Sequence, residues 1–311
     1  MKIPLIVVAG PTASGKTSLA VQLAEKFGGE VVSADSMQIY KKLNIGTAKP
    51  TAEEQKKVPH HMIDILDINE NFSVVDYCTM AHGVIEDIYK RGNLPIVAGG
   101  TGLYIDSLVN DEEFSGASEN RALREELTLL AAKEGNDAVH KILLELDPVA
   151  AENLHPNNLK RVIRAIEIIK ESGKSLDESI KREKAESRYD VLYFVLSHDR
   201  SVLYDRINKR VDMMVEEGLV DEAKWLFETI ENKNATCLQA IGYKEFREYI
   251  GGKISIEEAI ETLKKDTRHY AKRQMTWFRR NEKAKLLDCG GNFIKEAEKI
   301  TEEFMRERRT P

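Results

Sequence analysis

The sequence predicts an α/β fold in which a doubly wound parallel sheet is interrupted by an all-helical insertion. Three observations carry this expectation. A short apolar strand runs into a complete phosphate-binding loop at residues 10–17. Strand and helix signals then alternate through the N-terminal third. Between about residues 118 and 188 that rhythm gives way to helix after helix.

The first strand, Ile3-Pro4-Leu5-Ile6-Val7-Val8-Ala9, is apolar without alternation, as expected of a parallel strand buried on both faces. Pro4 sits at its start, where it is tolerated. Next comes Gly10-Pro11-Thr12-Ala13-Ser14-Gly15-Lys16-Thr17, a full match to G-x-x-x-x-G-K-[ST]. Leu19, Leu23 and Phe27 follow at helical spacing and Gly28-Gly29 stops the run, so a helix begins at Lys16 with its backbone N–H groups facing an anion. In such a P-loop, Lys16 reaches the terminal phosphates and the Thr17 hydroxyl holds a magnesium ion bridging them.

A second strand over 30–33 ends at Ala34-Asp35-Ser36, and Ser73-Val74-Val75-Asp76 caps a helix that stops at Gly92. The buried strand Leu94-Pro95-Ile96-Val97-Ala98 follows and ends in Gly99-Gly100-Thr101-Gly102. In a doubly wound sheet ligands collect at the carboxyl ends of the strands, so the loop, Asp35 and Thr101 share one edge. Helices are expected over 119–133, 137–146, 157–171 and 175–184, and Val191-Leu192-Tyr193-Phe194-Val195-Leu196 then rejoins the sheet. The expected organisation is a core of 1–117 with 189–311 and a helical insertion of 118–188. Helices over 219–227 and 293–305 read as structural, and the tail from 306 as frayed.

At 311 residues, 42% hydrophobic and 32% charged, the chain has the composition of a globular enzyme. No apolar run is long enough to span a bilayer and no signal peptide precedes the first strand, so a cytoplasmic protein without membrane contact, and a monomer, is expected. Three scattered cysteines fit reduced thiols, and His60-His61 have no third ligand at suitable spacing for a metal. The net charge is −6, yet between residues 264 and 285 nine basic residues face two acidic ones. Lys265, Arg268, Lys272 and Arg279 recur at helical spacing there, with Tyr270, Trp277 and Phe278 between them, as in a nucleic-acid contact or a solvated charged face.

A phosphohydrolase usually ends an apolar strand in an acid opposite the loop. Here that strand ends in Gly99-Gly100-Thr101, and Asp35 is the nearest carboxylate. Asp35 as a simple turn cap and Gly99–Gly102 as a tight turn are the plain alternatives.

Taken together, residues 10–17, Ala34-Asp35-Ser36-Met37-Gln38-Ile39-Tyr40, Gly46-Thr47-Ala48-Lys49-Pro50, Gly99-Gly100-Thr101-Gly102-Leu103-Tyr104, Ile241-Gly242-Tyr243 and Lys272-Arg273-Gln274-Met275-Thr276-Trp277-Phe278-Arg279 resemble the tRNA dimethylallyltransferases. The six segments keep the family's order from the first strand to about residue 288. The resemblance implies transfer of a dimethylallyl group from dimethylallyl diphosphate to N6 of the adenosine 3′ of the anticodon, with a tRNA anticodon stem-loop as partner. It implies that the P-loop holds a leaving diphosphate with Mg2+, that Arg210 reaches the diphosphate, that Asp35 is the general base and that Thr101 sits between amine and diphosphate. Asp35, Ser36, Met37, Gln38 and Thr101 are then expected around the target base. Arg124 or Arg121, the insertion's Lys160, Arg161 and Arg164, and Lys272, Arg273, Gln274 and Arg279 are expected on the RNA. The eukaryotic relatives' C-terminal zinc finger has no counterpart here, which fits the bacterial form. A small-molecule or nucleoside kinase, a prenyltransferase acting on free adenine nucleotides and a non-enzymatic nucleotide switch are the rival readings.

Overall fold

The computed structural model describes residues 2–111, 120–180 and 186–308. Six parallel strands form one sheet: β1 (Ile3–Ala9), β2 (Gly29–Ser33), β3 (His60–His61), β4 (Leu94–Gly99), β5 (Tyr189–Ser197) and β6 (Lys285–Asp288), in the order β3-β2-β4-β1-β5-β6. β1 is central, pairing with β4 through Ile6↔Ile96 to Ala9↔Gly99 and with β5 along its whole length. Leu5 to Ala9 are fully buried, which explains an apolar run without alternation. Helices such as Lys16–Phe27, Val74–Lys90 and Arg200–Glu216 link successive strands. The P-loop helix starts at Lys16 behind Gly15 in a left-handed conformation, and Gly28 closes it in the same conformation. Ser73 and Asp76 make the expected reciprocal cap.

Both edge strands escaped the sequence reading. β3 is only His60-His61, and β6, of which only Lys285 falls in the basic stretch, follows a helix that runs Ile256–Phe278 and stops before Arg279. His61 Nε2 sits 2.6 Å from Glu30 Oε2, and the buried Glu30 also holds Arg91 and Asn93, which keep its carboxyl down at about 2. The last helix, Phe293–Glu307, takes in Arg306, which the sequence assigned to a frayed tail.

The chain divides into two compact units, one of 1–111 with 187–311 and one of 112–186, against the expected 118–188 for the insertion. Ser187 and Arg188 belong with the sheet for a physical reason. Ser187 Oγ donates to Val109 O at 2.6 Å, and Arg188 Nε donates to Asp111 Oδ2 at 2.9 Å.

Within the second unit, helices Arg121–Glu134, Asn136–Leu146, Pro148–Asn153, Leu159–Ser172 and Leu176–Ile180 enclose Leu123, Leu127, Val139, Leu143, Val162 and Ile166. The short helix Pro148–Asn153 was not expected. Asp147 caps it by accepting from Ala150 N and also accepts from Leu176 N. Residues 119 and 181–184, which the sequence placed in helices, and 309–311 of the tail lie outside the described residues.

Candidate active site

Because β1, β2 and β4 are parallel, the segments that follow them emerge on one edge. A cavity of about 370 Å³ opens there. Thr12, Lys16 and Thr17 of the P-loop line it, with Asp35 to Gln38, Gly46 to Ala48, Gly99, Gly100, Arg210, Tyr270, Arg273 and Gln274. The other loop residues, Gly10, Pro11, Ala13, Ser14 and Gly15, shape the turn behind these side chains. Ala13 takes a left-handed φ of 61°, and its carbonyl accepts from Arg206 Nε at 2.8 Å.

Lys16 donates to Pro11 O at 2.6 Å. Burial first, and the neighbouring Arg210 second, push its ammonium down to about 7, against the pull of Asp35. Burial lowers Arg210 too, with Asp35 opposing. Arg210 lines the cavity and forms no ion pair with a carboxylate among the described residues.

Asp35 is the sole carboxylate among the lining residues. It does cap the following turn: Met37 N and Gln38 N both donate to Oδ1, at 2.9 and 3.4 Å. Both of these bonds fall on Oδ1. Burial is the largest influence and raises the carboxyl above its ordinary value. Thr101 stands just outside the lining set, its hydroxyl accepting from Ser36 N at 3.2 Å. Gln38 is oriented by Ser33 Oγ at 3.0 Å and by the Thr47 and Ala48 carbonyls.

Sequence reasoning missed the support beneath Gly46–Ala48. Glu222 accepts from Asn44 N, Ile45 N and Gly46 N, and from the Tyr243 hydroxyl at 2.6 Å. A Cβ on Gly46 would fall 2.5 Å from Tyr243 Cζ, so the segments around Gly46 and Tyr243 interlock. Nothing local marks Glu222, since an acid in a helix's first turn is ordinary.

The helix Ile256–Phe278 turns both ways. Lys272, Arg273 and Arg279 are exposed, and Arg273 lies over the Tyr270 ring at 5.6 Å. Arg268 donates to Asn208 Oδ1 instead, and Lys264 pairs with Asp212. Phe278 is buried, and Trp277 Nε1 donates to Asp106 Oδ2 at 2.7 Å. Gln274, expected on the RNA, is buried.

In the second unit Lys160, Arg161 and Arg121 are exposed. Arg124 and Arg164 both clasp the buried Glu167, at 2.9 and 2.5 Å. These two cations thus have a packing role inside the insertion.

The family model described as IPP transferase matches residues 38–281. A tRNA dimethylallyltransferase of Bacillus velezensis is 49% identical over 278 residues, covering 89% of this chain and 88% of its own length. One from Carboxydothermus hydrogenoformans is 44% identical over 99% of this chain and 98% of its own. The crystal structure of the full-length tRNA isopentenylpyrophosphate transferase from Bacillus halodurans superposes with a TM-score of 0.74 at 44% identity, covering 98% of each chain. A eukaryotic dimethylallyltransferase described as acting on tRNA superposes at 0.85 with 34% identity, covering 99% of this chain and 80% of that one. With the model matching most of its length and such relatives matching end to end, the chain belongs to the tRNA dimethylallyltransferase family.

Proposed function

We propose that this protein transfers the dimethylallyl group of dimethylallyl diphosphate to N6 of the adenosine 3′ of the tRNA anticodon and releases diphosphate. The observation that carries the reading is the convergence of the cavity's one lining carboxylate, the half-buried Asp35, with the cations Lys16 and Arg210. A kinase would need phosphate transfer at this edge, yet β4 ends in Gly99-Gly100-Thr101 without the acid such enzymes carry.

In the reaction the allylic carbon–oxygen bond breaks, the carbon–N6 bond forms and the N6 proton passes to Asp35. An arylamine is a weak nucleophile, so a base accepting its hydrogen bond and then its proton assists attack. Negative charge grows on the departing diphosphate, where Lys16, Arg210 and the amides at the helix start stabilise it. Thr101, tied to Ser36 N–H on the acceptor side and next to the loop's edge, serves the amine and the bridging oxygen.

For magnesium, the cavity supplies the Thr17 hydroxyl and the Asp35 carboxylate, and the described residues hold no cluster of three metal-ligating side chains. That donor set fits an ion held mainly by substrate phosphates and water, with Thr17 as the protein ligand. When bound, it would neutralise charge on the leaving group.

The target base must leave its stack to reach this cavity, at a cost of about a few kcal/mol. We assign the offsetting grip on the anticodon stem-loop to the exposed Lys160, Arg161, Lys272, Arg273 and Arg279, and the base contacts to Asp35, Ser36, Met37 and Gln38.

The test offers labelled dimethylallyl diphosphate to unmodified tRNA and to AMP, with labelled ATP as a separate donor. Label in tRNA, abolished by replacing the adenosine 3′ of the anticodon, supports the reading. Label in AMP alone, or phosphate transfer from ATP, refutes it.

A further inference from the structure

Gln274 is a buried polar side chain on a helix whose neighbouring residues 272 and 273 are exposed cations. Its carbonyl Oε1 accepts from Thr12 N at 2.9 Å and its Nε2 donates to Gly100 O at 2.9 Å. One amide therefore bridges the P-loop and the turn that presents Thr101, two segments that come from different strands. The fit leaves no slack: a Cβ on Gly100 would lie 2.2 Å from Gln274 Nε2. One helical turn later Trp277 repeats the arrangement, its ring 2.3 Å from where a Gly102 Cβ would sit. Thr101 is thus flanked by two glycines, each keyed to a side chain of the same helix.

The chemistry of the bridge is specific. Thr12 offers a donor and Gly100 an acceptor, so the side chain between them must accept at one tip and donate at the other. A carboxylate of the same shape accepts at both tips and leaves Gly100 O facing an anion. A thioether supplies neither bond.

We propose that Gln274 is a positioning residue that sets the spacing between the phosphate loop and the Thr101 turn, and with it the approach of the diphosphate to the acceptor amine. This rests on the prenyl-transfer reading. Gln274 acts through Thr12 and Gly100, the two groups its amide bridges. A displacement of about 1 Å between reacting groups costs on the order of a hundredfold in rate, which sets the expected scale of the effect.

The experiment compares the full-length wild type with Gln274→Met and Gln274→Glu. It measures kcat and KM separately for dimethylallyl diphosphate and for tRNA, tRNA binding without donor, and melting temperature, each across pH. The Met variant is expected to lose about a hundredfold in kcat and to weaken for the diphosphate, with tRNA binding within about twofold of wild type. The Glu variant, relative to wild type at each pH, is expected to recover as pH falls, because a protonated carboxyl again presents one acceptor and one donor. Weakened tRNA binding with kcat intact would make Gln274 an RNA contact and overturn the proposal. So would wild-type kinetics in both variants, or equal impairment of both at every pH. Failure of the reaction reading is seen separately, as an unmutated protein that transfers no label to tRNA.

Discussion

The depressed ammonium of Lys16 gives the reaction an alkaline limit. With burial and Arg210 holding it at about 7, free enzyme has this lysine largely neutral in mildly alkaline solution. Binding a diphosphate calls for the cation, so the donor must draw a proton onto Lys16 as it enters. At pH 8 about a tenth of the free enzyme carries that proton and at pH 9 about a hundredth, so kcat/KM for the donor falls about tenfold per unit above pH 7. The assay is transfer of labelled dimethylallyl to saturating tRNA at low donor concentration, from pH 6 to about 9.5. The contribution of Lys16 itself to stability has the opposite sign, and a melting temperature taken at each pH separates the limb from loss of the protein. A lysine lowered from 10.5 to about 7 on folding leaves the unfolded chain holding more protons between those values, so stability rises with pH across that window. Arg210→Gln removes a cation that lowers Lys16 and moves the limb to higher pH, while weakening the donor at low pH. A donor kcat/KM that stays flat to pH 9.5, or an Arg210→Gln limb that moves to lower pH, would refute the electrostatic account of the loop.

Asp35→Ala is expected to lower kcat by about 10² to 10⁴-fold with tRNA binding retained, checked by single-turnover transfer beside filter binding. The acid limb of kcat, set by protonation of Asp35, should lie above the ordinary 3.8 of an aspartate and vanish in that variant. Arg273→Ala should weaken tRNA binding and flatten its logarithmic salt dependence by about one unit of slope, read from binding at several salt concentrations. Gly46→Ala drives a methyl to within 2.5 Å of the fully buried Tyr243 ring. A cost of about 1–3 kcal/mol in stability follows, seen as a fall in melting temperature, together with weaker tRNA binding as the Thr47 and Ala48 carbonyls that orient Gln38 shift.

The P-loop was legible because its signal is local: strand, glycine turn, lysine and helix lie within some thirty residues, and the structure begins the helix at Lys16. Asp35 was found as a residue at a strand end, but its capping of Met37 N and Gln38 N depends on a turn that no pattern shows. The basic stretch read as one stripe, yet Arg268 turns to Asn208 and Gln274 to the P-loop, because helical spacing gives faces without saying what covers them. Arg124 and Arg164 were likewise visible as cations, whereas Glu167 beneath them reads as one acid among many until burial is known. β3 and β6 were lost for a simpler reason: two- and four-residue edge strands are too short for periodicity to register.

The clasp between Val109, Asp111, Ser187 and Arg188 has a consequence for the history of the chain. The polypeptide leaves the sheet and returns to it through points already joined by a hydrogen bond and an ion pair, so the path between them is free to grow, shrink or be exchanged without altering a single strand pairing. The sheet can thus stay fixed while the helical unit changes, and a short linker in its place should leave the sheet able to close.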